Sequence, residues 1–434
     1  MSQRLDHYLP SVSSKEIDES SREGSKQPLV FKPETPANLG EAYLVSVAYD
    51  GEKRLAYAKL YEPTSHKIFF WYDNKGHKPY CLSDQPIEDL EKNDALVRHE
   101  GFDHFETLEK YDALRDRRVK LTKIVAKDPL SIGGRPVGCI RDLVRAWEAD
   151  IRYVENYIYD TGLQPGMPYG IDQGKLIALD QKHDQTHQNV VKSLVGAEQE
   201  EYRQLSLEWI HLLECPVPEL RRVALDIEVY SPVATRIPIA DEAEHEILCA
   251  SLYGSDGQRK ILLLRRTGAE SRSEDLPDDV KVEYCNSEEE LLIEIFRALL
   301  DYPVVLTFNG DDFDMRYLYH RAQRLGFNRE QIPIELGRDA AQLTYGIHID
   351  LYKFFFNRSI QVYAFAQRYR ETTLDEIGES IVGLGKREIE APVSELTYSE
   401  LSAYCFRDAE IVMKLSSFND TLVMKLIVAL SRIS

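Results

Sequence analysis

Three short acidic stretches carry the residues whose types and spacing suit chemistry. LDIEV places Asp226 and Glu228 two apart in an expected strand, where side chains two apart share a face. FNGDDFD sets Asn309 at a strand end, and Phe313 and Asp314 where the next helix begins. YCFRDAE sets Tyr404 and Asp408 four apart, on one side of a helix. Singly, each pattern is ordinary: a DxE pair recurs by chance, an aspartate opening a helix is usually a cap, and Tyr with Asp at helical spacing is commonly a packed ring beside a solvated acid. Together they describe four carboxylates able to converge. Such a cluster repels itself unless cations neutralise it, and carboxylate oxygens suit the hard ions Mg²⁺ and Mn²⁺. Two such ions about 3.5–4 Å apart serve phosphodiester cleavage, one activating water and the other stabilising the leaving 3′ oxygen. In that scheme Asp226 bridges the ions, and Glu228 and Asp408 hold the one on the nucleophile side. Asp314 acts on the other ion, Tyr404 orients the water, and Asn309 and Phe313 shape the strand path.

The elements that must position these groups follow from the flanking pattern. RRVALDIEVY is a continuous apolar strand, and HEILCASLYGSDGQRKILLLRR gives two strands joined at Asp256-Gly257. SEEELLIEIFRALLDY has helical spacing behind a serine cap and an acidic first turn. PVVLTFNG is a buried strand, and DFDMRYLYHRAQRLG a helix ending at a glycine. Strand, strand, strand, helix, strand, helix is the order of an RNase H-like α/β domain, assigned to residues 166–416. Ahead of it, residues 1–38 read as a disordered tail rich in Ser, Lys and Glu. Residues 39–165 read as a mixed α+β domain that opens with a β-meander turning at Asp50-Gly51. The proline- and glycine-rich LQPGMPYG (163–170) reads as the boundary, and residues 417–434 as a segment returning towards the first domain.

DIE, NGDDFD and YxxxD in this order resemble the three exonuclease motifs of family B DNA polymerases, in the branch with a tyrosine at the water-orienting position. GHKPYCL, KLTKIVAKDPL, YIYDTGLQPGMPY, VLTFNGDDFD, HIDLYKFFFN and MKLIVALSRIS extend the likeness, particularly to the crenarchaeal replicative type. The resemblance implies a two-metal 3′–5′ proofreading exonuclease acting on single-stranded DNA ends. Its partners would be a primer 3′ end and template, the polymerase part of the same protein or a second subunit, and a sliding clamp reached through that part. The palm motifs of the family, YGDTD and SLYPS types, do not occur in these residues, so DNA synthesis is not expected of them. The first domain resembles a template reader that captures uracil. The matching positions are Pro79, Tyr80, Ile151, Tyr153 and Asn156, with Arg152 where a proline and Asn156 where an arginine is expected.

Strand grip is expected from LYKFFFNRSIQVYAFAQRYR (351–370), which interleaves aromatics with Lys353, Arg358, Arg368 and Arg370. Core packing is the alternative for most of those rings, and RDRRVK (115–120) reads equally as a solvated face or a phosphate contact. The formal net charge of −20 argues against a generally basic, nucleic-acid-coating surface, while leaving room for local stripes and for acids that hold metals. Six cysteines without CxxC or Cys/His spacing read as buried thiols, not zinc ligands. No apolar run approaches a membrane span and the N-terminus lacks the apolar centre of a signal peptide, so a cytoplasmic, nucleoid-associated protein is expected. Two other classes fit less of the sequence: a non-catalytic template-binding or scaffold module, and an RNA-trimming exonuclease of the same fold.

Overall fold

The computed structural model describes residues 31–135, 137–179, 185–195, 200–231, 238–268, 271–387, 389 and 391–433. The meander forms as expected: β1 (Leu39–Asp50), β2 (Leu55–Glu62) and β3 (Lys67–Tyr72) pair antiparallel. A second sheet joins β4 (Tyr80–Ser83), β5 (Phe102–Asp112) and β6 (Arg117–Ala126) in the order β4-β6-β5, flanked by the short helices α1 (Ile87–Leu90), α2 (Asp94–Val97) and α3 (Ile140–Leu143). Helix α4 (Tyr153–Thr161) ends at Gly162, whose φ of 67° is the left-handed stop that glycine takes without strain.

Two boundaries differ from the sequence reading. LQPGMPYG is not where the first unit ends: β7 (Pro168–Asp172) and β8 (Lys175–Ala178) extend the meander sheet in the order β3-β2-β1-β7-β8. Prolines and glycines mark a linker only by composition, and here Pro168 pairs with Tyr43 at the strand start, where its missing N–H is tolerated. Nor is the expected tail loose throughout. Residues 1–30 lie outside the described residues, but Phe31 packs on Phe70 and Tyr345 and Phe70 N donates to Glu34 O at 2.8 Å.

Helices α5 (Gln185–Leu194) and α6 (Glu200–Glu214) lead into a six-stranded sheet of order β12-β11-β10-β9-β13-β16. Its strands are β9 (Arg222–Val229), β10 (Ile247–Gly254), β11 (Arg259–Leu264), β12 (Lys281–Cys285), β13 (Val304–Thr307) and β16 (Ile347–Asp350), while β14 (Ile334–Leu336) and β15 (Ala341–Leu343) form a separate pair. Strand β12, parallel to β11, is additional to the expected order; KVEYC is too short and too mixed to signal itself. The helices are α7 (Glu288–Asp301), α8 (Asp314–Arg324), α9 (Leu351–Phe356), α10 (Leu374–Val382) and α11 (Tyr398–Ile433).

Alternate residues of β9 enter different cores, as a pleated strand buried on both faces requires. Val223, Leu225 and Ile227 join Leu291 and Ile295 of α7 and Met315 and Leu318 of α8. Ala224 joins Ile411, Val412 and Leu415 of α11. Asp226 and Glu228 continue the Ala224 series and therefore face α11. On the α7 side, Arg321 grips Glu288 through two contacts of 2.8 and 2.6 Å, and Glu288 also accepts Ile247 N at 2.8 Å. This buried pair ties α8 to α7 and β10. Arg321→Ala leaves the Glu288 carboxylate buried without its partner, and urea unfolding is expected to show a loss of about 3–5 kcal/mol. A loss below about 1 kcal/mol, the range of exposed pairs, would show that the pair does not fasten these elements.

Candidate active site

The pleat of β9 fixes the first two acids, and α11 brings the third. Ligand oxygens of Asp226, Glu228 and Asp408 all lie within 4.8 Å of one another. Tyr404 stands one helical turn before Asp408, half-buried, and burial together with the Glu228 carboxylate holds its phenol above the usual range. Asp314, the first residue of α8, is buried and accepts a hydrogen bond from Ile227 N at 3.2 Å, so it reaches β9 between the two acids. The three sequence stretches thus meet at one place.

The electrostatics are those of a site short of positive charge. Burial raises the Asp226 carboxyl well above the carboxylate range, and Asp408, Glu228 and Asp314 add to it. Glu228 is raised by burial and then by Asp408. Asp408 is raised by burial against the opposing pull of Lys386. The Asp314 carboxyl is pushed up to about 7 by burial, which outweighs its hydrogen bond from Ile227 N. Among the described residues, Lys386 answers these acids directly: its Nζ makes a short ion pair with Asp408 Oδ2. Asp408 Oδ1 is buried without a hydrogen-bond partner. A hard donor set with an orphaned, buried carboxylate oxygen fits a divalent cation held by Asp226, Glu228 and Asp408.

Sequence reasoning missed Lys386. It lies in a loop, and a lone lysine in LGKRE carries no spacing that points to a strand and a helix far along the chain. It also missed the network beneath the NGDDFD loop. Asp311, buried, accepts from Ala341 N at 2.6 Å and pairs with Lys353 Nζ at 2.5 Å and His348 Nδ1 at 3.2 Å. His348 Nε2 meets Thr307 Oγ1 at 2.7 Å, and Asp350 accepts from Asn309 N, Asp311 N and Tyr352 N at 2.7, 3.2 and 3.0 Å. These bonds hold Asn309 at a φ of 67°, a left-handed state that asparagine tolerates, and so turn the chain from β13 into α8. Two adjacent aspartates in NGDDFD were the available signal.

The other expected residues divide. Phe313 is half-buried and its ring packs on Tyr317 at 5.6 Å. Lys353 serves the Asp311 network, and Arg358 donates to Gln361. In 351–370, Phe354, Phe355, Phe365 and Tyr369 are core, whereas Phe356 and Tyr363 are exposed at 64% and 87%. In the first unit Tyr80 and Tyr153 are buried around His77, Tyr153 donating to His77 O and Tyr80 to Asp160. Pro79 and Asn156 are buried and Ile151 half-buried, while Arg152 is exposed and pairs with Glu155 and Asp339. A cavity of about 560 Å³ in the same unit is lined by Trp71, Asp73, Tyr157 and Tyr169 among others, and by none of Pro79, Tyr80, Ile151, Tyr153 and Asn156.

A family model described as "DNA polymerase family B, exonuclease domain" matches residues 144–363. DNA polymerase 1 of Saccharolobus solfataricus is 44% identical over 393 residues, covering 90% of this chain and 44% of that protein. DNA polymerase 1 of Aeropyrum pernix is 37% identical over 440 residues, covering 97% of this chain and 46% of that protein. The chain therefore spans less than half the length of these relatives. The solved family B DNA polymerase of Pyrobaculum calidifontis shares the fold at a TM-score of 0.60 and 16% identity, covering 90% of this chain and 48% of that one. No helix among the described residues is long and apolar enough to cross a membrane.

A carboxyl raised in the folded chain holds its proton more tightly than in the unfolded chain, so its contribution to stability falls as pH climbs from about 4 towards the folded value. For Asp314 that value is about 7. In EDTA, the melting-temperature advantage of Asp314→Asn over wild type should therefore grow between about pH 5 and about pH 8. Mn²⁺ should raise the melting temperature of wild type at the higher pH. An advantage that shrinks with pH would contradict the buried-carboxyl account.

Proposed function

The chain belongs to the exonuclease-domain family of family B DNA polymerases, and from that premise we propose that Asp226, Glu228, Asp314, Tyr404 and Asp408 form a divalent-metal site hydrolysing single-stranded DNA from its 3′ end. The observation that carries this reading is the carboxylate trio within 4.8 Å, with one Asp408 oxygen buried and unpaired. Mg²⁺ or Mn²⁺, as two ions, is the proposed cofactor; when bound, it supplies the Lewis acidity that lowers the pKa of water and neutralises the leaving oxygen. Asp226, Glu228 and Asp408 hold it, Asp314 completes the set from the helix start, and Tyr404 orients the attacking water beside Glu228. Lys386 keeps the Asp408 carboxylate aligned. Asn309 and Phe313 border the strand path, with Lys353, Arg358 and the exposed Phe356 and Tyr363 as further strand contacts.

The wider role follows as part of the same proposal. A primer 3′ end reaches this site from a polymerase part that continues the chain or sits on a second subunit, and proofreading serves DNA replication in the cytoplasm, at the nucleoid. A sliding clamp would be met through that part. The first unit contacts template, and uracil capture around Tyr80 and Tyr153 predicts tighter binding of a strand carrying uracil than of one carrying thymine at the same position. Equal binding would reject uracil capture alone and leave the nuclease reading intact.

With a 5′-labelled single strand and Mg²⁺ or Mn²⁺, a 3′-to-5′ ladder is expected that vanishes with EDTA and in the Asp226→Ala, Glu228→Ala double variant. DNA should be cut well ahead of RNA of the same sequence. If wild type and double variant were equally inactive at high enzyme concentration, catalysis by this chain would be abandoned for template binding. Tyr404→Phe should slow cleavage roughly 10–100-fold, the usual scale for groups supporting a metal site. Its apparent Mn²⁺ affinity should stay unchanged, since the phenol orients water and does not hold the ion.

A further inference from the structure

We propose that Ser251 of β10 is a positioning residue for Asp226, its hydroxyl donating to that carboxylate when the carboxylate holds a cation. The inference rests on the metal-site reading above and adds a residue to it. Ser251 lies directly opposite Asp226 in the antiparallel pairing of β10 with β9. Directly opposed residues project from the same face of a sheet, with Cβ atoms about 4.5–5.5 Å apart. The hydroxyl and the carboxylate therefore stand side by side on the face that looks towards α11. At that spacing a change between staggered rotamers brings Ser251 Oγ within hydrogen-bond range of the Asp226 carboxylate.

The serine has no other use for its polar atom. Ser251 is fully buried, and its Oγ has no hydrogen-bond partner among the described residues. Its chain neighbours Ala250 and Leu252, and Ile261 opposite it on β11, are all core residues. A hydroxyl buried in such company without a partner costs free energy that an alanine would not. The acids, for their part, are unequally supplied with donors. Asp314 receives the Ile227 N–H at 3.2 Å, and Asp408 receives the Lys386 ammonium. Among the described residues Asp226 receives only the Cys405 thiol, 3.6 Å from Oδ2, and that thiol is also engaged with Cys249. A thiol is a weak donor. Carboxylates that ligate metals are ordinarily hydrogen-bonded by an outer residue that fixes their orientation. The unpaired Ser251 hydroxyl and the under-supplied Asp226 carboxylate, paired across two strands, complete each other in that way.

The test measures Mn²⁺ affinity without DNA, from the electron paramagnetic resonance signal of the free ion. Ser251→Ala should bind Mn²⁺ roughly tenfold more weakly than wild type, the lower end of the scale for outer partners of a metal ligand. In EDTA the same variant should melt at or above the wild-type temperature, because an unpaired buried hydroxyl has been removed. Its degradation of a 5′-labelled strand should fall at low Mn²⁺ and return towards wild type as Mn²⁺ saturates. Unchanged Mn²⁺ affinity in Ser251→Ala, beside a wild type that binds the ion, would overturn the proposal and leave the metal site intact. Weaker affinity joined to a lower melting temperature in EDTA would mark a packing role and overturn it as well. A wild type that binds no Mn²⁺ would overturn the metal-site reading itself, and this inference with it.

Discussion

The mutual repulsion of buried carboxylates governs the arrangement of this molecule's centre. Asp226, Glu228 and Asp408 sit within one ion's reach of each other, with Asp314 against the same strand; Asp226 and Glu228 are half-buried and Asp408 and Asp314 buried, which strips away much of the water that would screen them. Lys386 offsets one charge, and the Ile227 N–H steadies Asp314, but neither removes the imbalance. A fold that gathers acids this way carries a standing cost to stability that a bound cation reverses. A cation held there would couple metal affinity to folding free energy. On the proposed reading, the same coupling would let a chain of net charge −20 serve a polyanion, because the phosphate would meet cations held by the acids and not the acids themselves.

Such a centre stays in place only if its carriers are rigid, and the four acids ride on three elements, β9, α8 and α11. Strand β9 lies in the sheet interior between β10 and β13, so its pleat is fixed from both sides. Helix α11 is braced against β9 and β10 by Ala409, Ile411, Val412 and Leu415 and against α10 by Ile377 and Ile381. The loop before α8 has no regular structure to hold it, and buried polar bonds through Asp311, His348, Thr307 and Asp350 take that role. Fully paired polar networks of this kind specify one loop shape, where apolar packing would admit several.

How much of this was legible in the sequence depended on the range of the interaction. Asp226 and Glu228, or Tyr404 and Asp408, are related by the period of one element, and that period is written in their spacing. The RNase H-like order could be read for the same reason, since long apolar strands and a capped helix declare themselves locally. Lys386, His348 and Asp350 act across tens of residues through tertiary geometry, and nothing adjacent to them announces it. Strand β12 takes its structure from a neighbour, pairing its edge with β11, and not from its own five residues. Pro168 and Gly170 misled in the opposite direction, because composition suggested a break where pairing with β1 supplied a strand.

The join between the two units shows how locally unfavourable backbone is retained when tertiary contacts over-determine it. Asn419, Asp420 and Thr421 take φ values of 46°, 55° and 57° in succession, kinking α11. Left-handed backbone costs roughly 1–2 kcal/mol per residue, least for Asn and Asp and more for a β-branched threonine. On one side of the kink Arg222 donates to the hydroxyls of Ser416 and Ser417, and on the other Lys425 pairs with Asp420. Beyond it, Arg432 locks the helix end to the carbonyls of Gly166, Cys215 and Pro216. A second fastening lies nearby, where buried Lys59 of β2 donates to Leu343 O and Gly346 O across the unit boundary. Burial holds that ammonium's pKa down at about 7, and the two carbonyls supply acceptors for its buried N–H groups. The helix that carries Asp408 is consequently tied at its far end to the first unit. Four consecutive non-helical residues, Phe418 to Thr421, separate the segment that carries Asp408 from the segment that Arg432 ties down, so the break is where a shift of that unit against the six-stranded sheet would be absorbed before it reached the acids.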